Sequence, residues 1–299
     1  MFIKILLGFA SCLVFAVVAL PAWIAYQRHQ WRNATAQWRN AMMQAAADAE
    51  GQGLNQELLD SQWRAKAAKR LPPPVQRYLQ AVMSPEAKPF AAVHIRQTGT
   101  FNLSADGEQW APFTADQLTV LAPKGFDWDA RIRFPPGLKI FVRDAYILRQ
   151  GVLRATLEGG IATLVDQPPS DDLSQGELMR FLAELPWYPP AALDPAITWK
   201  PIDDHSAQAE LVDGPISVAL VFRFGNDGLI ESVRADARGR TVGDRVEPTP
   251  WGGRFWDYAE FAGWRVPRNG EVAWLLPDGP LPYWRGRLEE IEFRPVGSR

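Results

Sequence analysis

Between Phe126 and Phe134 the side chains alternate without a slip. Phe126, Trp128, Ala130, Ile132 and Phe134 are apolar; Asp127, Asp129, Arg131 and Arg133 between them are charged. A period of two fits an extended strand with one packed face and one wet face, because successive side chains leave opposite sides of the pleat. The segment Val218–Phe224, the turn Gly225-Asn226-Asp227-Gly228 and the run Leu229–Arg238 read as a β-hairpin. In its second strand Val233, Ala235 and Ala237 oppose Arg234, Asp236 and Arg238. Further strands are expected at Val93–Phe101, Gln117–Leu121, Leu138–Tyr146, Val152–Leu157, Ala207–Val212, Glu271–Leu276 and Leu288–Phe293. Strands this closely spaced predict a mainly β (α+β) protein built on a curved or partly closed antiparallel sheet.

One helix interrupts the strands. Ser174-x-x-Glu177 has the form of a capping box, and Leu178, Phe181, Leu182 and Leu185 follow at helical spacing until Pro186. The pattern predicts an amphipathic helix covering the sheet, with Glu177, Arg180 and Glu184 as an ion-pair network on its outer face. Upstream, Pro72-Pro73-Pro74 introduces a helix over Val75–Met83.

The N-terminal part obeys a different rule. Ile5–Tyr26 is a run of 22 residues without a charge. As a helix it would reach roughly 33 Å, enough for a hydrocarbon core of about 30 Å. Trp23, Tyr26 and Trp31 suit the membrane interface. Leu20-Pro21-Ala22 is a poor cleavage site, and Cys12 comes too early in the run for a lipoprotein signal, so residues 1–27 are expected to be an uncleaved, single-pass signal anchor. Lys4 against Arg28, Arg32 and Arg39 would by charge count favour a cytoplasmic domain. The short basic tail before the run has the layout of an export signal, and a periplasmic or extracytoplasmic domain is the expectation retained.

Residues 28–70 read as a helical juxtamembrane stalk, and 71–299 as the β-rich domain. Trp31-Arg32-Asn33 recurs as Trp38-Arg39-Asn40, and Trp31, Ala34, Trp38, Ala41, Ala45 and Asp48 form a heptad-like stripe. That stripe fits a face lying on lipid, a face lying on the chain's own domain, or a homo-oligomer contact. A second helix is expected over Leu54–Arg70, whose Arg64, Lys66, Lys69 and Arg70 would meet anionic lipid rather than nucleic acid.

Little in the chain points to catalysis. No G-x-S-x-G elbow, phosphate loop or dinucleotide fingerprint occurs, and the single cysteine, Cys12, lies in the uncharged run. His29, His94 and His205 have no metal-ligand spacing, and Asp203-Asp204-His205 reads as a turn. No catalytic residue, metal or cofactor is therefore expected. A net charge of -2 supplies no basic field for nucleic acid. A carboxylate pair acting as acid and base would need one member in an apolar pocket.

The aromatic content is the unusual term. The chain has 13 Trp, of which Trp110, Trp128, Trp187, Trp199, Trp251, Trp256, Trp264, Trp274 and Trp284 fall in the last two-thirds. Such a surplus suits a dense core or an apolar cavity for a lipid or other hydrophobic ligand. The lining expected for a cavity is Phe126, Trp128, Ile132, Trp187, Tyr188, Trp199, Phe222 and Trp274, with Arg180 and Glu184 at its mouth.

Four spaced motifs also carry a resemblance. They are LPPPVQRYL at 71–79, Trp110-x-x-Phe113-x-Ala115-x-Gln117, Phe126-x-Trp128-x-Ala130, and GELMRFLAELPWYPPAAL at 176–193. Over about 71–295 the chain resembles a bacterial family of unknown function whose members join an N-terminal membrane segment to a β-rich domain. The resemblance implies fold and membrane association and brings no catalytic residue. In outline the expected sheet with its covering helix is also similar to lipoprotein-carrier and lipid-binding envelope folds, a likeness of shape alone.

Overall fold

The computed structural model describes residues 2–51, 68–104, 107–243 and 245–294, without the side chains of residues 2–18, 50 and 51. Thirteen strands make one sheet in which every neighbouring pair is antiparallel. The first meander is β1 (Ala92–Asn102), β2 (Trp110–Val120), β3 (Gly125–Phe134), β4 (Leu138–Ile147), β5 (Gln150–Leu157) and β6 (Ala162–Asp166). The second is β7 (Ile197–Asp203), β8 (Ser206–Asp213), β9 (Ile216–Phe224), β10 (Ile230–Val242), β11 (Arg245–Phe261), β12 (Trp264–Leu276) and β13 (Gly279–Arg294). Pairing of β1 with β13 welds them into the order β6-β5-β4-β3-β2-β1-β13-β12-β11-β10-β9-β8-β7. The sheet is open: among the described residues β6 and β7 form its two free edges.

The helices are α1 (Phe2–Gly51), α2 (Pro73–Val82) and α3 (Asp171–Ala183). The connection from β6 to β7 carries α3 and two short 3₁₀ turns, Leu185–Trp187 and Pro189–Leu193, from one edge of the sheet to the other. α3 packs against β3, β4 and β5 on one limb and against β9 and β10 on the other. β5 and β9 stand nine strand positions apart, which in a flat sheet is roughly 43 Å at about 4.8 Å per strand. A helix about 10–12 Å thick touches both only if the sheet curls around it. The core fills that hollow: Leu178, Phe181, Leu182 and Leu185 are buried against Phe126, Phe222 and Tyr188. α2 closes another part of the same core with Val75, Tyr78, Leu79 and Val82.

Most expected strands appear, several extended by a few residues. β6 and β11 had no counterpart in the pattern. Every residue of β6 is exposed, so no buried face imposes a period there. β11 runs through Pro248, Pro250, Gly252 and Gly253, residues that normally punctuate strands, and survives because it pairs on both sides. Asp203 Oδ1 accepts from His205 N at 2.8 Å, which makes the Asp203-Asp204-His205 segment the tight β7–β8 turn.

Three expectations are corrected. The start of α3 is Ser170, whose hydroxyl accepts from Leu173 N at 3.1 Å, and not Ser174. Ser174 lies inside the helix, donating to Ser170 O at 2.9 Å and accepting from Gly151 N at 3.0 Å. Second, Glu177, Arg180 and Glu184 turn inward rather than to solvent, since α3 is enclosed by both limbs.

The third correction concerns the charged face of β3. From Asp127 to Arg131 it is covered by α1, whose residues 31–49 lie across β2 and β3, and only Arg133 of that face is exposed. Trp31 Nε1 donates to Asp129 Oδ1 at 2.7 Å, and Arg39 Nε donates to the fully buried Asp127 Oδ2 at 2.7 Å while also binding Asp116. Arg143 pairs with Asp127 from β4 at 2.9 Å, and His94 Nε2 stands 2.8 Å from Asp116 Oδ2. Met42 and Ala46 pack on Ala92, Leu118 and Val120. The buried stripe of α1 is thus Trp31, Met42, Ala46 and Ala49, and Ala41 and Asp48 of the heptad-like stripe are exposed.

Ile5–Tyr26 falls in the first half of α1, largely among residues whose side chains are outside the description. Among the described residues no helix is long and apolar enough to cross a membrane. The helix expected over 54–70, with Arg64 and Lys66, falls almost wholly outside the described residues.

Candidate functional site

Where the curled sheet faces the end of α3, packing is incomplete. The cavity holds about 80 Å³ for the centres of water-sized molecules, and about 610 Å³ of empty space once its open mouth is included. Its walls come from elements far apart in sequence: Phe101, Trp128 and Asp144 from β1, β3 and β4; Arg180 and Ala183 from α3; Glu184 and Trp187 just beyond it. The second meander supplies Arg238, Trp251, Phe255, Glu271, Val272, Tyr283 and Trp284. Half of the lining residues are aromatic. Trp187 meets Phe255 edge-on at 5.6 Å, and Trp274, just outside, stacks on Tyr283 at 5.6 Å.

A polar cluster lies against these rings. On the concave face the register sets Gln117, Trp128 and Asp144 in one row across β2, β3 and β4. Arg180 reaches down from α3 onto that row. Its Nη1 donates to Asp144 Oδ2 at 2.5 Å, its Nη2 to Gln117 Oε1 at 3.1 Å and its Nε to Glu184 Oε1 at 2.7 Å. The guanidinium sits 4.7 Å over the Phe126 ring and 5.1 Å over Trp128. Glu184 Oε2 accepts from Gln117 Nε2 at 2.6 Å, closing the circuit. Both carboxylate oxygens of Glu184 and both amide atoms of Gln117 are thereby paired, as burial of such groups demands.

Glu177 is the exception. It is buried, its Oε2 has no hydrogen-bond partner while both carboxyl groups are read as acceptors, and neither does Oδ1 of Asp144. One proton between the two groups satisfies both atoms. Burial pushes the Glu177 carboxyl well above the usual range, and the neighbouring Asp144 charge, which accepts that proton, pushes it further. Glu177 and Asp144 thus form a hydrogen-bonded carboxyl pair in which Glu177 favours its protonated form, with Arg180 and Arg238 as the cations around it.

Arg238 arrives in the cavity by a device invisible to a period-two reading. Strict alternation places it on the outer face of β10, opposite Ala237. The β10–β11 register slips between Ala235 and Arg238, a bulge that inverts the faces beyond it. Ala237 is exposed as a result, contrary to its expected packed position, and the Arg238 guanidinium lies 5.0 Å from the Trp251 ring.

Of the residues expected from sequence, Trp128, Arg180, Glu184 and Trp187 meet at this cavity. Phe126, Ile132, Tyr188 and Phe222 are core residues behind it, and Tyr188 is fixed by donation to Phe181 O at 2.5 Å. Trp199 packs on Phe222 near the β7 edge, and Trp274 lies beside the mouth. Asp144, Arg238, Trp251, Tyr283 and Trp284 were not anticipated as lining. For Trp251 and Trp284 the tryptophan surplus was a signal; for the two charged residues only pairing register reveals the direction of the side chain.

The chain is therefore an open antiparallel-sheet protein wrapped around a single long crossover, with a small aromatic cavity where helix and sheet part. Residues 69–293 match the model of the family of unknown function DUF6920, and the chain belongs to that family. Among solved structures, a LolA-superfamily protein from Nitrosomonas europaea is 11% identical, covers 74% of this chain and 93% of its own, and superposes with a TM-score of 0.38. A β-barrel-like protein of the family of unknown function DUF1849 from Brucella abortus is 10% identical, covers 68% of this chain and 98% of its own, with a TM-score of 0.20. At those scores the likenesses carry no inference about ligand or activity. No curated protein matches the sequence.

Proposed function

We propose that this chain is a membrane-tethered envelope protein that holds a small hydrophobic or amphiphilic guest in the hollow of its sheet, without catalysis. The observation that carries the reading is the cavity itself: concave, half of its lining aromatic, and rimmed by a few oriented polar groups. Its volume of about 80 Å³ is small beside an ordinary small-molecule site and admits only a slim group. A single chain or ring entering through the mouth fits these dimensions better than a two-tailed lipid. The tether in this reading is the uncharged run Ile5–Tyr26, which would place the domain beside the bilayer on its extracytoplasmic side.

A scaffold acting through an exposed stalk is less well supported, because the apolar stripe of α1 is occupied by β2 and β3. The test is mass spectrometry of the full chain, extracted in an amphipathic polymer rather than detergent, for a co-purifying amphiphile. Protein that is consistently empty, and whose tryptophan fluorescence is indifferent to single-tailed amphiphiles, would refute the proposal.

A further inference from the structure

We infer that the polar end of the guest is an anion, received by the guanidinium of Arg238 and the phenol of Tyr283. This rests on the reading of the cavity as a guest site and names the chemistry that site selects.

The charges around the cavity sort into those already satisfied and one that is not. Arg180 spends its donors on Asp144, Gln117 and Glu184. Glu271 is closed by Arg254 at 2.5 Å and Arg285 at 2.8 Å. Each ionised carboxylate of the lining thus has its cation. Arg238 is held more loosely: its one carboxylate neighbour among the described residues, Oε1 of Glu177, is an ion pair at 4.0 Å from its Nη2, beyond hydrogen-bond reach. Burial and the Asp144 charge also hold the Glu177 carboxyl well above the usual carboxylate range, which weakens the compensating charge it offers Arg238. The Arg238 side chain is only 11% exposed, and among the described residues no acceptor takes a hydrogen bond from its guanidinium. A charge so placed, with its fork of N–H groups unused, is an anion receptor.

Tyr283 supplies a second donor. Its hydroxyl oxygen accepts from Trp251 Nε1 at 2.8 Å, which leaves its own proton without an acceptor among the described residues. Trp251 links the two groups, carrying Arg238 over its ring at 5.0 Å and holding Tyr283 by its indole N–H. Two donors flanking one indole, beside apolar rings and carboxylates already paired with other cations, match the paired oxygens of a carboxylate or phosphate on a single apolar tail.

The experiment titrates the full chain, held in an amphipathic polymer, with decanoate, decyl phosphate, decanol and decyltrimethylammonium, read by quenching of tryptophan fluorescence. The two anions are expected to bind about 10-fold to 100-fold more tightly than decanol, and the cation least of all. The tighter of the two anions identifies the head as carboxylate or phosphate. Arg238→Gln is expected to abolish the preference for anions over decanol, and Tyr283→Phe to reduce it about 3-fold to 10-fold. Should Arg238→Gln fail to fold, the wild-type ranking decides by itself. Equal binding of decanol and decanoate by the wild type overturns the anion assignment and leaves the guest-site reading intact. Absence of binding by all four probes overturns both.

Discussion

Replacing Glu177 with Gln separates two pictures of the polar cluster. Burial and the Asp144 charge raise the Glu177 carboxyl well above its ordinary range; the groups facing it are Asp144 on β4, Arg180 on its own helix and Arg238 on β10. A carboxyl whose folded pKa lies above its unfolded value of about 4.5 keeps its proton when folded and releases it on unfolding. The stability it contributes is therefore complete below the unfolded value and is lost as pH rises toward the folded one. Between those limits the slope is about 1.4 kcal/mol per pH unit. The amide of Gln donates to Asp144 as the acid does and does not titrate. Near pH 5 the variant should accordingly lie within about 1 kcal/mol of the wild type, and it should gain on it by about 1.4 kcal/mol per pH unit thereafter. Urea unfolding of the full chain, followed by tryptophan fluorescence at pH steps from about 5 to about 8, measures the difference directly, with equal m-values as the control. If Glu177 were instead an ionised partner of Arg238, the variant would lose ground as pH rose. A flat or reversed difference refutes the raised carboxyl.

Other substitutions probe the frame around the cavity. Gly99→Ala is expected to cost several kcal/mol, of order 2–4, because an added Cβ would lie 2.0 Å from the carbonyl oxygen of Arg285, at the β1–β13 weld; denaturant midpoints would show it, and an unchanged midpoint would mean the weld is looser than described. Ser170→Ala should cost about 1 kcal/mol as a lost helix cap, and the cap assignment fails if the substitution is neutral in the same assay. Arg39→Met should cost about 3 kcal/mol by leaving the buried Asp127 with Arg143 alone. It should also speed proteolysis within α1, and a helix no more sensitive than in the wild type would disprove docking through this ion pair.

Much of the frame was legible in the sequence because local chemistry dictates it. The alternation at Phe126–Phe134, the Gly/Asn/Asp turn after Phe224 and the helical spacing of Leu178, Phe181 and Leu182 each report a period that a strand, a turn or a helix must have. Trp128, Arg180, Glu184 and Trp187 could be placed near a hollow on the same grounds. What the period cannot report is which partner covers a face. The charged side of β3 reads as solvated until α1 is laid on it, and the charged stripe of α3 reads as exposed until two limbs of one sheet close around it. Arg238 is the sharpest instance. A one-residue slip in pairing, a property of two strands and of neither alone, turned it from the outer face into the cavity. Local periodicity thus determined the elements, and long-range pairing decided which charges are buried, because the direction of a side chain in a sheet is fixed by register.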